Sequence, residues 1–135
     1  MNPHDLRIGT LGSPGMLTAP PAERAALARR AVDAGLDHFF TADHVSFIDG
    51  QGMDGLVNAA VLATLAPELE VCVGVYLLAL RHPVPVARQI ATLAESAPGR
   101  LVFGVGIGGE DRHEIEICGV VPSRRGRRTD SALQA

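Results

Sequence analysis

The feature that most constrains this chain is a recurrence: a short apolar run, a loop and an amphipathic stretch follow one another about every 30 residues, the length of one strand, one helix and two loops. That alternation points to a parallel sheet covered by helices, because each helix must carry the chain back before the next strand can run in the same direction. The recurrence is one of structural type; the residues themselves do not repeat.

Four βα units are expected within the 135 residues. The first strand spans 6–11 and leads into a loop, Gly12-Ser13-Pro14-Gly15. A helix over 21–34 follows, with proline suited to its first turn and Gly35 to its C-terminal cap. Arg24, Leu27, Ala28, Ala31 and Val32 share one side of it, as the 3.6-residue period requires for packing on a sheet. The second strand spans 37–42. The second helix runs from an Asp54 N-cap to Leu65, with Val57, Ala60, Val61, Thr64 and Leu65 as its apolar stripe. Residues 70–78 form the third strand, apolar from Val71 onward without alternation, as suits a strand buried on both faces. The third helix begins near Pro83 and Pro85 and carries Val86, Ile90, Leu93, Ala94 and Ala97. After Pro98-Gly99 comes a fourth strand over 100–105. Residues 106–128 read as mostly loop with a short helix over 110–117, and a fourth helix is expected to begin at Thr129.

The fold class is therefore α/β, in a single partial domain over 1–135. A TIM-type (β/α)8 barrel takes roughly 250 residues, so four units supply about half of one. A flavodoxin-like open sheet of four or five parallel strands is the competing fold, and composition does not separate the two.

Composition excludes several function classes. A hydrophobic fraction of 47% with 20% charged residues belongs to a globular chain. No apolar run approaches the roughly 18 residues of a membrane span, and Met1-Asn2-Pro3-His4-Asp5 lacks a signal peptide's basic-then-apolar pattern, so a cytoplasmic protein without membrane contact is expected. A net charge of -3 offers nothing to nucleic-acid phosphates. Cys72 and Cys118 lie in apolar stretches without C-x-x-C spacing and read as buried free thiols, so no metal site is expected.

Parallel α/β folds build their sites at the C-terminal ends of the strands. Asp43-His44, after strand two, pairs a carboxylate with an imidazole that can bond a heterocycle and move a proton near neutral pH. The plainer alternative is a loop cap beside a satisfied histidine. Gly104, Gly106 and Gly109 match G-x-G-x-x-G, but after the fourth strand rather than the first, and Asp130 opens a helix instead of ending a strand. Glycines there either admit a flat ring or phosphate close to the backbone or simply make a tight turn. Gly74 inside strand three marks a bulge or a close approach. Arg124 to Arg128 reads either as an anion site or as a solvated basic face.

Taken in series, Ala31 to Asp37, Thr41-Ala42-Asp43-His44, Leu80-Arg81-His82-Pro83, Ala91-Thr92-Leu93, Pro98 to Leu101, Gly104 to Gly108 and Arg125 to Asp130 resemble the luciferase-like monooxygenase family of flavin- and deazaflavin-dependent oxidoreductases. The resemblance runs from about residue 6 to the end and implies the N-terminal half of a TIM-type barrel. It implies coenzyme F-420 or FMN as cofactor and a small-molecule substrate. His44, with Asp43, would lie beside the reactive edge of the ring. A bulge containing a non-proline cis peptide, matching Gly74-Val75, would back that ring. Gly106-Ile107-Gly108 would pass close to it. Where many relatives carry an aromatic residue or an acid just after this loop, this chain has Gly109-Glu110. The Leu80 to Pro83 and Arg125 to Asp130 segments look closer to the deazaflavin users, for which the reaction is hydride transfer; for reduced FMN it is monooxygenation.

Strands five to eight normally supply much of the phosphate and substrate site, so these residues alone are expected to be inactive and, with open edges and one sheet face uncovered, to form homo-oligomers or aggregate. Two other readings stand beside this one: a non-enzymatic half-barrel that self-associates, and a flavodoxin-like binding or signalling domain.

Overall fold

The computed structural model describes residues 6–48, 50, 52–109 and 111–135; the first five residues and Glu110, where the short helix after the fourth strand was expected to begin, lie outside the described residues. Strands β1 (Gly9–Leu11), β2 (His38–Thr41), β3 (Glu70–Leu77) and β4 (Leu101–Gly106) form one sheet in the order β1-β2-β3-β4, every neighbouring pair parallel. Sequential order is what a barrel builds. A flavodoxin-like sheet places its second strand outside the first, so the topology selects the barrel over the open sheet.

Between the strands lie α1 (Pro14–Thr18), α2 (Pro21–Asp33), α3 (Gly55–Leu65) and α4 (Pro83–Ser96); α5 (Arg112–Ile117) and α6 (Arg125–Leu133) follow β4. The core sits between the sheet and its helices, where Ala28, Phe39, Ala59, Leu62, Val71, Val73 and Tyr76 are buried together. Full burial of a side chain such as Leu62 contributes about 2 kcal/mol, and many such contributions hold the helix layer on the sheet.

Local chemistry sets the helix boundaries. Asp54 accepts from the backbone of Leu56 and Val57, capping α3, and Gly35 adopts a φ of 72° just beyond the α2 C-cap. Arg100 donates to the carbonyls of Ala63, Ala66 and Leu69, so one guanidinium satisfies groups left open at and beyond the end of α3.

Four expectations are corrected. The stretch after β1 is not all loop: Ser13 accepts from Met16 N, Pro14 takes the first turn, and Met16 and Leu17 are buried. The apolar stripe of α3 faces the other way. Leu56, Ala59, Leu62 and Ala63 are buried whereas Val57 is 62% exposed, because a helix apolar all round carries no periodic signal to choose its face. β3 is buried on both faces only at its end, where Tyr76 and Leu77 are both covered; before that Val71 and Val73 sit against the helices, while Cys72 on the opposite face is half-buried. The last helix begins at Arg125 rather than Thr129. Within the basic run, Arg125 donates to Gly108 O and Pro122 O, and Arg128 donates to Ala79 O.

At the fourth residue pair of the β3–β4 ladder the register shifts between Val73 and Tyr76, and the Gly74–Val75 peptide inside the bulge is cis, where the family resemblance implied it. The bulge explains two glycines of β4. A Cβ on Gly104 would stand 2.8 Å from Val73 O, and one on Gly106 would run into the Val75 side chain. No helix among the described residues is long and apolar enough to cross a membrane.

Candidate active site

The C-terminal ends of β2, β3 and β4 converge on a cleft of about 400 Å³, lined by Asp43, His44, Gly74, Val75, Gly106, Ile107 and Gly108 among others. Every site residue expected from the sequence therefore faces one space. What each does there differs.

Asp43 belongs to the scaffold. Its side chain is fully buried, and its carboxylate accepts from Gly55 N, Leu77 N and both terminal nitrogens of Arg81, each at 2.8 Å. Arg81 also reaches Asp54 at 3.2 Å and lies over the Tyr76 ring, 4.3 Å from its centroid. Burial pushes the Asp43 carboxyl above its ordinary range, against the pull of the Gly55 and Leu77 amides and of Arg81. Burial likewise pushes the Tyr76 phenol up to about 12. This cluster ties the end of β2, the start of α3 and the end of β3 together. The sequence-based pairing of Asp43 with His44 at the reacting edge is replaced by a positioning role, because four donors already occupy the carboxylate.

His44 has a different acid partner. Its Nδ1 is 3.1 Å from Glu114 Oε2, and its ring stacks on Phe47 with centroids 4.2 Å apart. Glu114, only 3% exposed, accepts from Val45 N at 2.6 Å and Ser46 N at 3.0 Å as well. Asp111, the N-cap of α5, accepts from His113 N and from Ile48 N. The amides of Ile48 and then His113 hold the Asp111 carboxyl below its ordinary value. Two acids of one short helix thus clamp the loop that carries His44.

Glu114 went unrecognised in the sequence, where the residue noted after β4 was Glu110. The available signal was the Asp111-x-x-Glu114 spacing, which marks a helix start and would have placed Glu114 in its first turn at the mouth of β4. Among the described residues no group of three His, Cys, Asp or Glu side chains could hold a metal.

The apolar part of the cleft is formed by Val75 and Ile107, 45% and 44% exposed, beside backbone of the bulge and the glycine loop. A Cβ on Gly74 would meet nothing nearer than Cys72 Sγ at 3.8 Å, so this glycine keeps space open rather than avoiding a clash. The result is a cleft with Val75 and Ile107 as its apolar side chains and an imidazole–carboxylate pair at one edge. Such a cleft suits a planar ring system that needs one hydrogen-bonding partner.

A family model described as luciferase-like monooxygenase matches residues 6–135. The chain is 31% identical over 111 residues to an F420-dependent glucose-6-phosphate dehydrogenase of Kineococcus radiotolerans, covering 79% of this chain and 33% of that protein. It is 30% identical over 131 residues to the protein of the same description from Nakamurella multipartita, covering 94% and 38%. The chain thus spans little more than a third of the length of these relatives. Among solved structures, the FMN complex of the oxygenating constituent of 3,6-diketocamphane monooxygenase from Pseudomonas putida superposes with a TM-score of 0.76 at 19% identity, over 95% of this chain and 37% of that one. An F420-dependent secondary alcohol dehydrogenase in complex with an F420-acetone adduct superposes with a TM-score of 0.72 at 24% identity, over 95% and 40%. These two likenesses establish the fold, that of TIM-barrel enzymes of which this chain covers about 40%. With a family match that runs from residue 6 to the end and a sheet whose order is that of the barrel, the chain belongs to the luciferase-like monooxygenase family.

Proposed function

We propose that this chain is the cofactor-facing N-terminal part of a cytoplasmic oxidoreductase that uses deazaflavin coenzyme F-420 for hydride transfer to or from a small-molecule substrate. The observation that carries the proposal is the cleft itself: the Gly74–Val75 backbone, Val75 and the Gly106 to Gly108 loop on one side, His44 at the edge. The F420-dependence of both curated relatives favours the deazaflavin. Reduced FMN and monooxygenation form the second reading, favoured by the likeness in fold to an FMN complex.

When bound, such a ring supplies the redox chemistry, and the protein supplies binding, orientation and protons. Gly74, Val75, Gly106, Ile107 and Gly108 would hold it. Glu114 orients His44: a proton on Nδ1 donated to Oε2 leaves Nε2 free to accept or return one. Nε2 has no protein partner among the described residues. Asp43 and Arg81 position His44 by anchoring the strand end from which it projects.

Alone, the chain is expected to self-associate and not to turn over substrate. Leu11, Phe40 and Val102, which share one face of the sheet by register, leave 41%, 37% and 46% of their surfaces exposed, an apolar sheet face of the sort that drives association. The test is therefore binding rather than turnover. Titrating the chain with coenzyme F-420 and with FMN, followed by cofactor fluorescence, is expected to give saturable F-420 binding that His44→Ala weakens. Saturation by FMN alone supports the second reading, and saturation by neither rejects both.

A further inference from the structure

We propose that the arginine-lined cavity beside α6 binds a small molecule through a phosphoryl group, at a site separate from the cleft. The cavity measures about 390 Å³, within the range of small-molecule sites. The turn after α5 contributes Val120 and Val121 to its lining, and the segment that runs into α6 contributes Arg124, Arg127, Arg128 and Ser131. It shares no lining residue with the cleft. Arg125, inside the same basic run, turns elsewhere and donates to Gly108 O, so the run divides between the two places.

The charges in this cavity are unanswered. Every one of the chain's 12 basic residues is an arginine, and four of them fall within residues 124–128. Elsewhere Arg7, Arg29, Arg81 and Arg112 each hold a carboxylate, whereas none of these four is ion-paired among the described residues. The Arg124 and Arg127 side chains make no hydrogen bond among the described residues, and Arg128 engages only its Nε, on Ala79 O. Arg124 stands three and four residues before Arg127 and Arg128, the spacing at which like charges on a helix repel, and no acid occupies the first turn of α6 to relieve them. An anion seated among the three guanidiniums removes that repulsion.

The same groups select the class of anion. A phosphoryl group carries close to two negative charges at neutral pH and presents three oxygens, so it pairs with more than one guanidinium fork at once. A lone carboxylate answers one arginine and leaves the others unpaired. The cavity is larger than a phosphoryl group, and Val120 and Val121 give the rest of the molecule an apolar contact. Nucleic acid is a poor match, because the chain carries a net charge of -3 and these arginines line one pocket rather than a stripe that could follow a phosphate backbone. The site stands independently of the redox function proposed above.

The experiment is isothermal titration calorimetry of the chain with inorganic pyrophosphate in about 0.15 M sodium chloride, where weak surface attraction is screened. Pyrophosphate is expected to bind saturably, at one site per chain, with a submillimolar dissociation constant. Sodium acetate, a single carboxylate, is expected to give no saturable heat. Arg124→Gln and Arg127→Gln are each expected to weaken pyrophosphate by about tenfold, the value of a hydrogen bond to a charged group. Arg88→Gln, which removes an arginine of α4 that holds no carboxylate among the described residues, is expected to change nothing. The acetate comparison uses the unaltered chain, so it decides the question even if a variant fails to fold. Heat that never saturates, acetate binding as tightly as pyrophosphate, or equal losses in Arg88→Gln and Arg127→Gln overturns the proposal. Displacement of bound pyrophosphate by coenzyme F-420 overturns the separation of this site from the cleft.

Discussion

Replacing Arg81 by methionine tests the reading of Asp43 as scaffold. The substitution keeps much of the stem that covers Tyr76 but strands a carboxylate whose side chain is wholly buried. Two amide bonds remain to Asp43, from Gly55 and Leu77. Breaking one side of a buried ion pair costs about 3–5 kcal/mol. For a domain of this size that corresponds to a fall in Tm of roughly 10–20 °C at neutral pH. The effect has a predicted pH dependence. Asp43 already titrates above its ordinary range because of burial, and Arg81 is one of the groups pulling it back down. A carboxyl whose folded pKa is raised contributes stability that is present below its unfolded pKa, about 3.9, and lost as pH rises through the folded value. Removing Arg81 raises that folded value further, so the variant is expected to lose more stability between pH 5 and pH 8 than the parent does. Thermal unfolding followed by far-ultraviolet circular dichroism at both pH values reads this directly. Adding Asp43→Asn to the variant removes the stranded charge and is expected to recover part of the loss at pH 8. An Arg81→Met protein that melts within about 3 °C of the parent at pH 8, or a double variant no better than the single, would refute the reasoning.

Glu114→Ala removes the acceptor of Val45 N and Ser46 N, so hydrogen exchange at those two amides is expected to quicken at least tenfold while amides in β3 hold their rates. Gly106→Ala places a Cβ against Val75 and is expected to destabilise by about 1–3 kcal/mol in denaturant unfolding, with Val75→Ala in the same chain restoring most of it. Arg100→Met leaves the carbonyls of Ala63, Ala66 and Leu69 without their shared donor and is expected to cost about 1–3 kcal/mol, seen as a lower denaturation midpoint with an unchanged slope.

Most of the architecture was legible in the residues. The alternation of apolar runs with proline-started, glycine-ended helices places four strands and the helices between them to within a few residues, because those signals are local and each acts within its own turn or strand. The cluster of candidate residues was equally legible, since in any parallel α/β fold the strand ends lie together, and Asp43, His44, Gly74, Val75 and the Gly106 to Gly108 loop all follow or interrupt strands.

What only the tertiary structure decided is how those residues are used. Strand order, and with it barrel against open sheet, depends on pairings between segments some 30 residues apart, which no local pattern encodes. The buried face of α3 was undetermined because every side of that helix is apolar. Asp43 and His44 are neighbours in the chain, yet one turns inward to Arg81, 38 residues away, and the other to Glu114, 70 residues away. A hydrogen-bond partner is chosen by proximity in space, and the sequence records only proximity along the chain.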